Sequence, residues 1–474
     1  MSRSQHTPLD LRVLTYTRPR TKAYFHYIAE RSFASGGLSY TTDHRGYERD
    51  FLMRPFYELY RKRPSADKVF DVLSESTVED IRLRCRYLRG VSIEQAHRMI
   101  FCMWRAAEDV LDRTVPEVIL SLPIDCYVLD VLARVARLRG IAYAAPVPTC
   151  VNGYFSFGNR GRITGLRTPT TEEIQASLQL LLQGGYSPPY MKWTQGRAWT
   201  SFVKLYVKEK VKKGGFWLLR WGTRDPLNFN YNLSRYPEKM ACDSLRHIAA
   251  RNWFTKDWEQ RLATTDGVKI MIPLQFYPEV STDYWTQDTS LIPFYDLIRT
   301  IVESLAGSAT VFVKEHPAAA GYRPPGFYRT MAAYEHVVLV PYYASTHELI
   351  RSTDLTITWG TTVGLESRIR GNPVITFGTP DYYVDGCFTC LDRAEQIAGL
   401  PAMVTNALHS DSDDCGEAIL QKVLSGGFKG TLKLVDFEPT AEHVANASQV
   451  IESLVEYLPA YIEHTRQQVT THEP

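Results

Sequence analysis

The chain has 474 residues, 44% of them hydrophobic and 22% charged, the proportions of a globular protein and not of a disordered chain or a coiled coil. That length exceeds one small domain and suits two medium or large ones. Lys+Arg 54 against Asp+Glu 52 leaves +2, which excludes a protein that binds nucleic acid through its overall charge.

The eight cysteines, at 85, 102, 126, 150, 242, 387, 390 and 415, are too scattered for a disulfide framework and read as loop or core thiols in a reducing compartment. Cys387 and Cys390 form a lone C-x-x-C without a second pair, so no zinc site is expected. The first residues lack the apolar stretch of a secretion signal, and no run reaches the ~18 uncharged apolar residues of a membrane helix. The expected location is cytoplasmic, either free or peripheral on the inner face of the cell membrane.

Residues 11–17 form a β-rich run that breaks at Arg18-Pro19-Arg20, as a buried strand entering a loop would. A helical region over about 78–111 follows, with Ser92 as a cap. Residues 116–122 predict the next strand, 125–139 a helix closed by Gly140, and 141–144 another strand. Strand, helix, strand is the signature of a parallel sheet with right-handed crossovers. The pattern then changes. The segment 192–224 carries Lys192, Arg197, Lys204, Lys208, Lys210, Lys212, Lys213, Arg220 and Arg224 against Glu209, with Trp193, Trp199, Trp217 and Trp221 interleaved. Such a mixture suits an anionic membrane surface, and equally a solvated helix whose tryptophans face a core. From Gly267, strands at 268–274, 309–314, 337–340, 355–359 and 373–377 alternate with helices, a second doubly wound domain. The expected class is α/β, with 1–186 an N-terminal Rossmann-like domain, 187–266 a basic and aromatic insertion, 267–410 a second Rossmann-like domain, and 411–474 helices packing back.

Three loops at strand ends carry the chemistry. Trp359-Gly360-Thr361-Thr362-Val363-Gly364-Leu365-Glu366 lies between a strand and a helix, where glycines, hydroxyls and free N–H groups let a phosphate approach and Glu366 can take a ribose diol. A capped turn would use the same residues. Lys314-Glu315-His316-Pro317 follows another strand, with an imidazole able to donate to a phosphate and a proline that stiffens the turn. The third loop, after 268–274, presents Gln275, Glu279, Ser281 and Thr282. In the N-terminal half, Asp125 at a strand end is a candidate base or nucleophile, His26 an alternative base, and Arg18 and Arg20 could steer an anionic acceptor.

The ordered strings "PLQFYPEVST", "VFVKEHP" and "TITWGTTVGLESRIRGNPVITFG", followed by Tyr382-Tyr383, resemble the capsule polysaccharide synthesis family, which includes bacterial Kdo transferases. The likeness spans mainly 267–383 and, more weakly, 116–171. Here Gln275 is displaced from Tyr277-Pro278-Glu279, Trp359-Gly360 replaces a Thr-Gly pair, and Asn372 stands where Lys is common. The resemblance implies a GT-B glycosyltransferase, two Rossmann-like domains facing across a cleft, with CMP-Kdo the donor in the best-known members. It places His316, with Lys314 and Pro317, at the donor phosphate, Gly360, Thr361, Thr362 and Gly364 in a phosphate cradle, Glu366 on the ribose, and Glu279 facing the sugar beside Gln275. No resident cofactor is expected, and no metal, because the loops offer cationic and dipolar phosphate binders and no Asp-x-Asp pair; Asp411-Ser412-Asp413-Asp414 lies in a polar linker. The expected partners are a nucleotide sugar and a glycan or lipid-linked saccharide, with no nucleic acid. The rival expectations are a nucleotide-sugar 2-epimerase, a polyol-phosphate transferase, or a non-catalytic capsule assembly or export protein.

Overall fold

The computed structural model describes residues 7–47, 51–158, 160–183, 199–223, 252–277, 279–317, 319, 323–410 and 415–471. In chain order the strands are β1 (Val13–Thr17), β2 (Leu38–Thr42), β3 (Val118–Leu120), β4 (Ala142–Pro148), β5 (Tyr154–Gly158), β6 (Lys269–Pro273), β7 (Thr310–Lys314), β8 (Val337–Val340), β9 (Leu355–Thr358), β10 (Val374–Phe377), β11 (Thr389–Leu391) and β12 (Phe428–Lys429). They form two six-stranded sheets in two compact units, 1–169 with 423–474 and 170–422. Two Rossmann-like α/β units, the class expected from the alternation of strand and helix, are therefore present.

Unit 1 has the strand order β12-β5-β4-β3-β1-β2, parallel across β2, β1, β3 and β4, with β5 and β12 antiparallel at the edge. Every residue of β1 and β3 is buried, as strands covered on both faces require. The predicted helical region divides into Glu75–Arg84, Arg86–Arg89 and Ile93–Thr114, the last capped by the Ser92 hydroxyl, which accepts from Gln95 N. The C-terminal helix Ala441–Thr471 packs on the helix Lys22–Ser32 and on β4, and the Tyr461 hydroxyl donates to the Tyr143 carbonyl at 2.9 Å.

Unit 2 has the order β11-β10-β9-β6-β7-β8, parallel throughout. In β6, β7 and β8 alternate residues feed two cores. Ile270, Ile272, Val311, Val313, Val337 and Leu339 join one. Met271, Phe312, Val338 and Val340 join the other. Period-two alternation into two cores means helices on both faces. The helix Thr171–Leu182, grouped by sequence with the N-terminal domain, packs on the helix Thr362–Ile369, and Leu182 O accepts from Arg370. It belongs to unit 2.

Cys387, expected as a thiol, is bonded to Cys415; a sequence separation of 28 hid that pairing from any local spacing rule. Of the basic segment, Trp199–Thr223 is a helix, while Lys192, Trp193, Arg197 and Arg224 lie outside the described residues, as do Pro278 and 411–414.

Candidate functional site

In unit 2 the first strand of the domain, β6, has β7 on one side and β9 on the other, so the chain reverses its direction of sheet growth between β6 and β9. Open α/β sheets bind ligands outside the carboxyl ends of the strands flanking such a switch point. The loops after β6, β7 and β9 are the three that carried motifs. Gln275, buried two residues past β6, donates from Nε2 to the Trp359 carbonyl at 2.7 Å, across the switch point. Its Oε1 accepts from Ser281 Oγ at 3.1 Å, and the same hydroxyl lies 3.0 Å from Glu279 Oε2. The Gln275 carbonyl accepts from Arg323 Nη2 at 2.8 Å.

Arg323 then joins the β7 loop. Its Nε donates to both Glu315 oxygens, at 3.0 and 2.7 Å, and its Nη2 to Oε1 at 2.6 Å. Tyr328 donates its hydroxyl to Glu315 Oε2, and the His316 N–H donates to Oε1 at 2.6 Å. Both charged groups are buried. Burial alone would raise the Glu315 carboxyl, but the Arg323 guanidinium and these hydrogen bonds hold it below the usual carboxylate range. One ion pair and one amide thus fix three loops against one another.

His316 projects from this frame half-buried, its ring 5.8 Å from that of Phe276. Burial, with Arg323 and Lys314 nearby, lowers its pKa to about 4 despite Glu315. At neutral pH it is an uncharged imidazole that can donate one hydrogen bond. Lys314, expected at the phosphate, is buried, with Nζ 3.3 Å from the Glu315 carbonyl and its pKa lowered by burial to about 8. Pro317 is half-buried beside His316.

After β9 the backbone turns through Gly360 at φ +76°, a left-handed conformation that favours glycine, with Pro380 3.0 Å from where a Cβ would stand. Thr361 is the N-cap of the helix Thr362–Ile369, yet its side chain makes no capping bond; Oγ1 pairs with Thr358 Oγ1 at 2.8 Å. The side-chain cap expected of a purely structural turn is absent at this position, and Thr362 is half-exposed beside it. Gly364 differs from its expected place in the cradle. It is buried, and a Cβ there would stand 2.5 Å from the Tyr382 hydroxyl, which itself donates to the Thr361 carbonyl at 2.7 Å. Gly364 serves this close packing.

Glu366, on the same helix, is buried, and its Oε2 lies 3.3 Å from His347 Nδ1 of the neighbouring helix Thr346–Ser352. Burial raises Glu366 to about 7 and lowers His347, so near neutrality the contact carries little charge separation.

Unit 1 has its own switch point between β1 and β3. Arg18, after β1, grips Asp125, after β3, through Nη1 and Nη2 at 2.5 and 2.9 Å, and donates Nε to Asp43, after β2, at 3.0 Å. His44 Nδ1 lies 2.6 Å from the other Asp43 oxygen. Arg18, expected to steer an acceptor, has its guanidinium engaged by these two carboxylates; Arg20 is exposed and paired with Asp436. Asp125 is bound on both oxygens rather than presented alone. His26 stacks on Tyr40 in the middle of β2, ring centroids 4.1 Å apart, and lies 3.5 Å from Glu30. It faces the middle of β2, three residues before Asp43, and no hydrogen bond between His26 and the Arg18–Asp125–Asp43 cluster is found among the described residues.

The residues missed by sequence are Arg323, Tyr328, Asp43 and His44. For Arg323 a signal existed: the acidic residue of Lys-Glu-His-Pro follows a strand buried on both faces, and a carboxylate buried there needs a cation.

The model of a family described as capsule polysaccharide biosynthesis protein matches residues 230–397, the part of the chain that holds all three loops. The family read from the motifs is the one that matches. No curated protein matches the chain. Among solved structures, the chain is similar to a Thermosulfurimonas dismutans KpsC β-Kdo 2,7 transferase, at 13% identity and a TM-score of 0.31, covering 81% of this chain and 97% of that one. The corresponding β-Kdo 2,4 transferase gives 14%, 0.32, 72% and 87%. A UDP-GlcNAc 2-epimerase from Methanocaldococcus jannaschii gives 13%, 0.25, 88% and 100%.

Proposed function

We propose that the chain is a GT-B glycosyltransferase of surface polysaccharide synthesis, and that unit 2 holds its nucleotide-sugar donor, CMP-Kdo by the resemblance. The acceptor is a growing glycan or a lipid-linked saccharide, and no metal or resident cofactor takes part. The observation that carries this reading is the convergence of three polar loops on the β6/β9 switch point, tied by Gln275 to Trp359 and by Arg323 to Glu315. Departure of the nucleotide leaves negative charge on a phosphate oxygen. Preorganised N–H donors at the start of the helix Thr362–Ile369 and the neutral His316 imidazole stabilise that charge without reorganising. Glu366 takes the ribose hydroxyls, and Glu279 with Ser281 faces the sugar. Unit 1 serves the acceptor, its Arg18–Asp125 pair supplying a carboxylate that becomes a base only when the guanidinium yields it.

Thermal-shift titration with CMP, CDP, UDP and GDP tests the donor site. A ligand of the native state adds about 2.7 kcal/mol at a hundred times its Kd, and one nucleotide should raise Tm with the logarithm of its concentration. His316→Ala and Glu366→Ala should each weaken it about tenfold or more. No shift with any nucleotide, or wild-type affinity in both variants, overturns the reading. A 2-epimer formed from nucleotide sugar without acceptor replaces transfer by epimerisation.

A further inference from the structure

The helix Trp199–Thr223 has five lysines and one arginine against one glutamate. It also concentrates exposed apolar surface. Val207, Val211, Trp217, Leu218 and Trp221 are 53%, 70%, 65%, 58% and 79% exposed. Elsewhere among the described residues, no element leaves more than one large hydrophobic side chain over half exposed.

The placement is periodic. Val203, Val207, Val211, Leu218 and Trp221 follow at spacings of four, four, seven and three, one stripe along a helix of 3.6 residues per turn. Lys204, Lys208 and Lys212 each come one residue after a stripe valine and line one edge of it. Tyr206, Lys210 and Trp217 line the other, with Lys210 Nζ 4.9 Å from the Tyr206 ring centroid. Lysines on both margins of an apolar stripe can bury their stems while the ammonium groups meet anionic headgroups, and indole rings favour that same boundary. Heptad pairing with a second helix fits poorly, because the register that joins Val207, Val211, Leu218 and Trp221 would set Lys204 and Gly214 in the seam. Gly214 and Gly215 weaken the helix interior and have no atom within 4 Å of a built Cβ, so no neighbour needs their smallness. Among the described residues no helix is long and apolar enough to cross a membrane.

We propose that the helix Trp199–Thr223 lies in the plane of an anionic lipid bilayer, with Val207, Val211, Leu218 and Trp221 in the headgroup boundary and the lysines on phosphate headgroups. The inference goes beyond the transferase reading, since the helix precedes residues 230–397 and holds none of the donor loops.

Flotation of the full chain with vesicles of phosphatidylcholine alone, or with 30% phosphatidylglycerol, tests it without any nucleotide. Binding should be at least tenfold stronger to the anionic vesicles and fall steeply between about 0.1 and 0.5 M salt as the Debye length shortens from about 10 Å. Replacing Lys204, Lys208 and Lys212 by Gln should weaken it about a hundredfold, three charges at about 1 kcal/mol each. Trp217→Ser with Trp221→Ser should weaken it at least tenfold, and brominated acyl chains should quench tryptophan fluorescence in wild type more than in that variant. All five side chains are exposed, so unchanged thermal unfolding is the control for folding. Equal binding to both vesicle types, no binding, or variants that bind as wild type overturn the proposal. So does a dimer in solution that the tryptophan variant abolishes, which would assign the stripe to a second copy. Nucleotide thermal shifts on the same samples report the donor site independently.

Discussion

The two switch points solve the same problem with different chemistry. In unit 1 the gap between β1 and β3 is closed by Arg18, whose three nitrogens go to Asp125 and Asp43. In unit 2 the gap between β6 and β9 is bridged by one neutral amide, Gln275 to the Trp359 carbonyl, and the charged pair Glu315–Arg323 is set back beneath it. A guanidinium saturated by its own carboxylates has little field left for a ligand. A neutral bridge leaves the helix start, the His316 ring and the Glu279–Ser281 pair as polar groups at the surface of the site. Burial of the ion pair also tells its purpose: charges wholly out of water cost several kcal/mol each unless the geometry is exact enough to return it, so the pair specifies loop positions more than it adds stability.

The largest break in that contrast is expected at Arg323→Met. It leaves Glu315 uncompensated, and removing one partner of a buried pair costs about 3–5 kcal/mol, to be read by urea unfolding. Adding Glu315→Gln should return part of the loss, while nucleotide binding stays weakened because the loops have lost their tie. Recovery of both stability and binding would mean the pair positions nothing. At Arg18→Met a smaller loss, about 2–3 kcal/mol, is expected, because Asp125 is 28% exposed and can turn to water while Asp43 keeps His44. This loss has a pH signature. Burial would raise Asp43, but Arg18 and His44 hold it below its usual 3.8. A depressed carboxylate stabilises the fold above its unfolded pKa, and that contribution fades as pH falls through the folded value. The gap between wild type and variant should therefore be full at pH 7 and narrow below about pH 4.

What could be read in advance follows the range of the interactions. Five strands of unit 2 are apolar or apolar-alternating runs bounded by turn residues, and all five, expected from the sequence, are present. β2, with the polar run of Ser39, Tyr40, Thr41 and Thr42, and the two- and three-residue β12 and β11 have no such signature, since pairing with neighbours alone makes them strands. The motif loops were legible because each lies within about ten residues of a strand end. The groups that hold them were not: Arg323 reaches Gln275 across 48 residues, and Arg18 reaches Asp125 across 107. Side-chain pairing over such spans is set by topology, and the order of strands is absent from any local pattern.

Glu366 sharpens the contrast with Asp43, because here burial wins. The groups facing it are His347 at 3.3 Å and, at longer range, Arg370; Arg370 and Arg351 act in turn on the imidazole. With a folded pKa of about 7 against 4.5 unfolded, the native state holds a proton that the unfolded chain has released. Stability from this group is complete below about pH 4.5 and lost as pH rises through 7, the opposite sign to Asp43. At about 1.4 kcal/mol per unit of pKa, wild type should lose about 2–3 kcal/mol relative to Glu366→Gln between pH 5 and 8 in urea unfolding. A ribose diol that donates to the carboxylate favours its ionised form, so saturating nucleotide should move the midpoint of that loss toward lower pH. A midpoint indifferent to nucleotide would leave Glu366 as a packing partner of His347, and the donor site would then have to take its ribose elsewhere.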